Sequence, residues 1–164
     1  MKIFGFSGWS GSGKTTLIER LIPLFVGQSL RVSLIKHAHH DFDVDQPGKD
    51  SYRHRKAGAS EVLVSSGQRW ALMHELRGAP EPGLDELVQH IAPCDLLLVE
   101  GFKKEAIPKL EVYRAQVGKP LLFPDDPYIV AVASDVPLTH DILTIDINNN
   151  DQVAEFILKH VELI

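Results

Sequence analysis

The run Gly8-Trp9-Ser10-Gly11-Ser12-Gly13-Lys14-Thr15 constrains this chain more than any other stretch. It fits G-x-x-x-x-G-K-[ST], and its context is that of a phosphate-binding loop. The apolar run Lys2–Ser7 precedes it, and apolar residues at helical spacing follow from Thr16 to Ile22. A strand that breaks into a glycine-rich loop and opens a helix turns successive backbone N–H groups around an anion. Gly8, Gly11 and Gly13 allow conformations closed to residues with a Cβ. The helix begun near Gly13 adds free N–H groups and the positive end of its dipole. Lys14 is expected to reach the β- and γ-phosphates and the Thr15 hydroxyl to ligate Mg²⁺. Gly8, Gly11, Ser12, Gly13, Lys14, Thr15 and Thr16 together form the expected nucleotide-binding set. The competing interpretation, a Gly/Ser turn capping an ordinary helix, leaves the matching strand and helix on either side unexplained.

The rest of the chain alternates strand and helix, which predicts an α/β fold with a mainly parallel sheet. After the first strand and a helix over roughly Lys14–Val26, strands are expected at Arg31–Lys36, Asp95–Glu100, Lys109–Tyr113, Tyr128–Ser134 and Leu143–Ile147. Helices are expected near Asp50–Ala57, Leu84–Ile91 and Asp151–Val161. The runs Glu61–Ser65 and Arg69–Glu75, split by Ser66-Gly67-Gln68, predict an inserted β-hairpin. At 164 residues, without repeats or low-complexity linkers, residues 1–164 are expected to form a single nucleotide-binding domain. A net charge of −5 argues against a general DNA or RNA binder. No segment reaches the about 18 apolar residues of a membrane span, and the N-terminus lacks signal-peptide architecture, so a cytoplasmic location is expected. The lone Cys94, just ahead of an apolar strand, is expected to be a small buried residue.

Four further segments carry chemistry. In Asp95-Leu96-Leu97-Leu98-Val99-Glu100, a continuous apolar run ends in an acid, as a central parallel strand does when it delivers a carboxylate to the ligand end of the sheet. Glu100 is therefore the second expected Mg²⁺ ligand, and Asp95, at the opposite end, a solvated flank. The loop His37–Lys49 is rich in His and Asp. Its Asp41-Asp43-Asp45 alternation resembles a calcium loop, but Gln46 and Tyr52 stand where Gly and Glu are required. Its histidine spacing matches no familiar zinc pattern. Because the loop leaves the C-terminal end of the second strand, Asp41 or Asp50 could sense the γ-phosphate or orient a water, and Lys36 and His37 could face phosphate. The basic run Arg53-His54-Arg55-Lys56 fits either a phosphate lid or a solvated helix face. Finally, Asp135 ends the strand Ile129–Ser134, where a carboxylate could accept from guanine N1–H and N2–H₂, a contact worth about 1–3 kcal/mol. The alternative for Asp135 is a turn-capping acid ahead of Val136-Pro137.

Gly8–Thr16, Leu34-Ile35-Lys36-His37-Ala38-His39-His40-Asp41, Pro47-Gly48-Lys49-Asp50-Ser51-Tyr52, Arg55-Lys56-Ala57-Gly58-Ala59, Leu98-Val99-Glu100-Gly101-Phe102-Lys103 and Val132-Ala133-Ser134-Asp135 occur in one order along nearly the whole chain. In this the sequence resembles the molybdopterin-guanine dinucleotide biosynthesis protein B (MobB) family. The resemblance implies a P-loop GTP-binding protein with weak Mg²⁺-dependent GTPase activity. It implies an adapter acting beside the molybdenum cofactor guanylyltransferase, with molybdopterin or its guanine dinucleotide as a further partner, and a homodimer. Related MinD-type NTPases carry a lysine just after the first glycine of the loop. Trp9 stands there in this chain, so no lysine is expected to reach across a dimer to the partner's phosphate. A P-loop small-molecule kinase is the competing function. In it the Arg53–Lys56 helix would close over phosphates and the polar loop would hold the acceptor.

Overall fold

The computed structural model describes residues 1–38 and 42–164, which divide into two compact units: Met1–His37 with Leu84–Ile164, and 38–83. In chain order the elements are β1 (Lys2–Ser7), α1 (Lys14–Gly27), β2 (Val32–Lys36), α2 (Asp50–Lys56), β3 (Glu61–Ser65), β4 (Trp70–His74), α3 (Leu84–Gln89), β5 (Leu96–Glu100), β6 (Lys109–Tyr113), β7 (Ile129–Ser134), β8 (Thr144–Asp146) and α4 (Asn150–His160). The first unit is built on a six-stranded sheet ordered β2-β5-β1-β6-β7-β8, with every neighbouring pair parallel. The α/β fold and the separate hairpin expected from the sequence are both present.

Alternation decides which side chains meet which helices. Phe4, Phe6, Leu96, Leu98, Leu110, Val112, Ala131 and Ala133 face α1 and α4, whose Leu17, Leu21, Phe25, Val153, Ile157 and Leu158 complete the larger core. On the opposite face Ile35, Leu97, Val99 and Cys94 pack with Leu84 of α3. A strand covered on both sides needs apolar residues throughout, and every residue of β5 is buried. Cys94 is buried as expected.

The sheet order reverses around β1, with β5 and β2 on one side and β6, β7 and β8 on the other. Ligands bind beyond the carboxyl ends of the strands at such a switch point. The register brings those ends level: Phe6 and Lys36 both lie opposite Glu100, and Ser7 lies opposite Glu111.

The second unit contains α2 and the antiparallel β3–β4 hairpin, with Ser65 opposite Trp70 at its turn. Arg55 ties this unit together. Its guanidinium donates to both carboxylate oxygens of Asp43 at 2.6 and 2.7 Å and to Glu75 Oε1 at 2.7 Å. Arg77 in turn donates to the Arg55 and Ala59 carbonyls. These bonds hold the Asp43 carboxyl below its ordinary pKa and raise that of Arg55. Along the hairpin Leu63, Val64, Trp70 and Leu72 are exposed. Among the described residues no helix is long and apolar enough to cross a membrane.

Candidate functional site

The loop between β1 and α1 lies at the switch point. Gly13, at φ +94°, is the N-cap of α1 and supplies no side-chain cap to the helix's first N–H groups. Those donors stay available to an anion. At Gly8, φ is +144° and a Cβ would stand 2.5 Å from the Val112 carbonyl oxygen and 2.8 Å from Ser12 Oγ. Glycine is required here for close backbone approach as well as for the dihedral. Ser12 is 2 % exposed, and its hydroxyl has no hydrogen-bond partner among the described residues. A buried orphan hydroxyl in the loop that leads into the uncapped N-terminus of α1 suits a loop that takes a polar ligand.

Lys14 curls over this loop and donates to the carbonyls of Gly8 and Trp9, each at 2.9 Å. Burial pushes its pKa below the ordinary lysine value, Glu100 opposes that shift, and Lys103 and Lys36 add to it. Thr15 and Thr16 occupy the first turn of α1, both exposed. The Thr15 hydroxyl donates to Glu100 Oε1 at 2.9 Å. Glu100 itself is 5 % exposed at the end of β5. The sequence-expected metal ligands, 85 positions apart in the chain, are thus in contact. A hydroxyl and a carboxylate form a hard oxygen pair that fits Mg²⁺, which takes one or two protein oxygens and completes its shell with phosphate and water. Lys36 reaches the same point from β2, with Nζ at 3.3 Å from Thr15 Oγ1 and 3.5 Å from Glu100 Oε2. His37 packs against Phe102, ring centroids 5.2 Å apart.

Asp135 follows β7 as expected, with both oxygens engaged inside the chain. Oδ1 accepts from the Ala115 N–H at 3.0 Å, and Oδ2 lies 3.6 Å from Arg114 Nη1. Asp50 belongs to the second unit, where it is exposed and 3.7 Å from Arg53 of its own helix. Asp41 lies outside the described residues. Asp95 is the strand flank it was expected to be, held by Arg31 through bonds of 2.8, 2.9 and 3.1 Å that lower its pKa to about 2.

Several residues that shape the site carry no sequence signal of their own. Trp9 Nε1 donates to the Pro120 carbonyl at 2.7 Å, and Lys103 Nζ lies 4.7 Å from its ring centroid. Lys109, 1 % exposed, donates to the carbonyls of Lys103 and Glu105 and pairs with Asp126 at 2.6 Å, which fastens the segment after Glu100. Glu111, wholly buried, accepts the N–H groups of Leu122 and Phe123. Burial raises its pKa and those two bonds oppose the rise. The Lys-x-Glu alternation was the one available hint, and it resembles a half-solvated strand.

A parallel sheet with a glycine-rich loop at its switch point, running into the N-terminus of α1, places the chain among proteins of P-loop NTPase fold. Residues 3–135 match the family model MobB, molybdopterin guanine dinucleotide synthesis protein B. The chain is 46 % identical over 163 residues to the molybdopterin-guanine dinucleotide biosynthesis adapter protein of Escherichia coli (strain K12), covering 98 % of this chain and 93 % of that protein. It is 48 % identical over 159 residues to the protein of the same name from Haemophilus influenzae, covering 94 % and 86 %. A crystal structure of molybdopterin-guanine biosynthesis protein B (mobB) superposes with a TM-score of 0.78 at 27 % identity, covering 98 % of this chain and 99 % of the other. The chain belongs to the MobB family.

Proposed function

We propose that this chain is a GTP-binding adapter that supports formation of molybdopterin guanine dinucleotide, with weak Mg²⁺-dependent GTPase activity. The observation that carries the nucleotide half is the Thr15–Glu100 contact of 2.9 Å beside the open N-terminus of α1. Gly8, Gly11, Ser12, Gly13, Lys14, Thr15 and Thr16 would surround the phosphates, with Thr15 and Glu100 holding Mg²⁺. The metal would offset phosphate charge when bound. Lys14 would leave the Gly8 and Trp9 carbonyls for the phosphates, and Lys36 would yield its place between Thr15 and Glu100. The preference for guanine would follow from the family likeness, and Asp135, whose oxygens face the Ala115 N–H and Arg114, would belong to the rim of the same nucleotide site. Asp41 and Asp50 remain the candidates for orienting a water. The adapter half is supported by the printed names of relatives that match nearly the full chain. Its partners would be the molybdenum cofactor guanylyltransferase and molybdopterin or its guanine dinucleotide, in the cytoplasm. A homodimer belongs to the same proposal. The exposed Leu63, Val64, Trp70 and Leu72 support it, because apolar side chains grouped on one exposed hairpin suit a protein–protein contact.

Thermal unfolding with GTP, GDP and ATP, each with Mg²⁺, tests the proposal. Ligand at 100 times Kd stabilises by about 2.7 kcal/mol, or roughly 5–11 °C for a chain of this size. GTP is expected to exceed ATP, and Lys14→Ala to remove the shift while keeping the unliganded melting temperature. Equal shifts with wild type and Lys14→Ala would defeat the assignment.

A further inference from the structure

The guanidinium of Arg114 occupies an electrostatically unfavourable place. A Cβ built on Gly13 would lie 3.2 Å from Arg114 Nε and 3.8 Å from Nη2, so the group sits flat against the residue that opens α1. The positive end of the helix dipole is there, and Lys14 of the same turn folds back onto the Gly8 and Trp9 carbonyls of the loop. Arg114 side-chain exposure is 25 %. Its only ion pair among the described residues is the 3.6 Å approach to Asp135, and no hydrogen bond from the guanidinium to the chain accompanies it. An arginine carries five N–H donors in a fixed fork. Placing it with its donors unspent at the positive end of a helix dipole is unfavourable for the unliganded protein and favourable once a polyanion lies on the loop. The orphaned Ser12 hydroxyl in that loop independently points to a polar ligand at the same place.

We propose that Arg114 is a nucleotide-contacting residue that donates to the phosphate chain on the loop, and that Asp135 positions it. This rests on the nucleotide site proposed above and changes how that site is completed. Phosphate loops place their backbone N–H groups on the α- and β-phosphates, and Arg114 lies against Gly13 of that loop. It therefore contacts GDP as well as GTP. Asp135 holds the turn by accepting the Ala115 N–H with one oxygen and restrains the guanidinium with the other. A carboxylate used in this way acts on every nucleotide alike, whereas one that reads the base acts on guanine alone.

Calorimetric titration of GTP, GDP, ATP and inorganic pyrophosphate into wild type, Arg114→Ala, Arg114→Lys and Asp135→Asn separates these cases. Loss of a charge-assisted contact predicts that Arg114→Ala weakens GTP, GDP and pyrophosphate by a common factor of about 10- to 100-fold. Arg114→Lys recovers part of this, since charge is kept and the fork is lost. Asp135→Asn weakens GTP and ATP by one smaller factor and leaves their ratio unchanged. Arg114→Ala without ligand melts at or above the wild-type temperature. Wild-type affinity in Arg114→Ala overturns the proposal, as does a lowered unliganded melting temperature with unchanged affinities. A GTP/ATP ratio that collapses in Asp135→Asn overturns the role given to Asp135 and makes it a base reader. If wild type binds pyrophosphate but no nucleotide, the proposed function fails while the pyrophosphate comparison still decides Arg114. Binding of neither ligand by wild type defeats both.

Discussion

Replacing Lys109 by methionine isolates one buried ammonium while keeping an unbranched side chain of similar length. In the wild type all three of its protons are used: on the Lys103 carbonyl at 2.7 Å, the Glu105 carbonyl at 3.0 Å and Asp126 Oδ2 at 2.6 Å. With Lys109 at 1 % exposure and the Asp126 side chain at 18 %, water cannot substitute freely at either partner. Removing one member of a buried pair costs about 3–5 kcal/mol, mostly because the other charge is left uncompensated. For a chain of this size that lowers Tm by roughly 6–20 °C. Lys109→Met, Asp126→Asn and the double variant, unfolded in urea and by heat, form a cycle in which the pair should show a coupling of at least about 1 kcal/mol. The double variant should be more stable than Lys109→Met plus Asp126→Asn summed. A Lys109→Met cost under about 1 kcal/mol, or additive variants, would refute the claim that this pair is desolvated and holds the segment following Glu100.

Gly8→Ala should destabilise more than Gly11→Ala in denaturant titrations. The dihedral alone costs about 1–3 kcal/mol; only at Gly8 does the added Cβ also meet a backbone carbonyl, whereas at Gly11 nothing lies within 4 Å. A larger loss at Gly11 would contradict the close approach to Val112. Because Lys14 has a lowered pKa in the free protein, bound phosphate should restore its charge. Calorimetry of GTP binding at alkaline pH, in buffers of different ionisation enthalpy, should therefore register proton uptake that grows with pH; proton release would contradict it. Asp95 has a folded pKa near 2 against 3.8 ordinarily. Its contribution is present above the ordinary value and is lost as pH falls toward about 2. Arg31→Gln should flatten the acid limb of the urea-midpoint profile between pH 4 and 2, and an unchanged limb would show that the Arg31 pair does not act.

The strands and helices were legible because each repeats a burial period. Leu96–Glu100 is buried throughout and is apolar until its last residue, and the Ser66-Gly67-Gln68 turn announced the hairpin. β6 was harder to interpret. Lys109 and Glu111 alternate with Leu110 and Val112, which describes a strand with one wet face, yet all four are buried. The charges are tolerated only because two carbonyls of the preceding loop, and Asp126 and two N–H groups from the segment that follows the strand, fold back onto them. Arg114 and the Trp9–Pro120 bond were hidden more deeply, since their partners lie tens of residues or more away in sequence.

By itself the sequence determined the phosphate loop, the element order and the candidate pair Thr15 and Glu100, because these depend on local spacing and on backbone dihedrals that neighbouring residues set. Only the tertiary structure decided that Lys36 joins that pair, that Arg114 flanks Gly13, and that Asp135 faces Arg114 and Ala115. Those contacts follow from which strands lie side by side at the switch point, and strand order is set by the packing of both faces of the sheet together. No local window of residues contains that information.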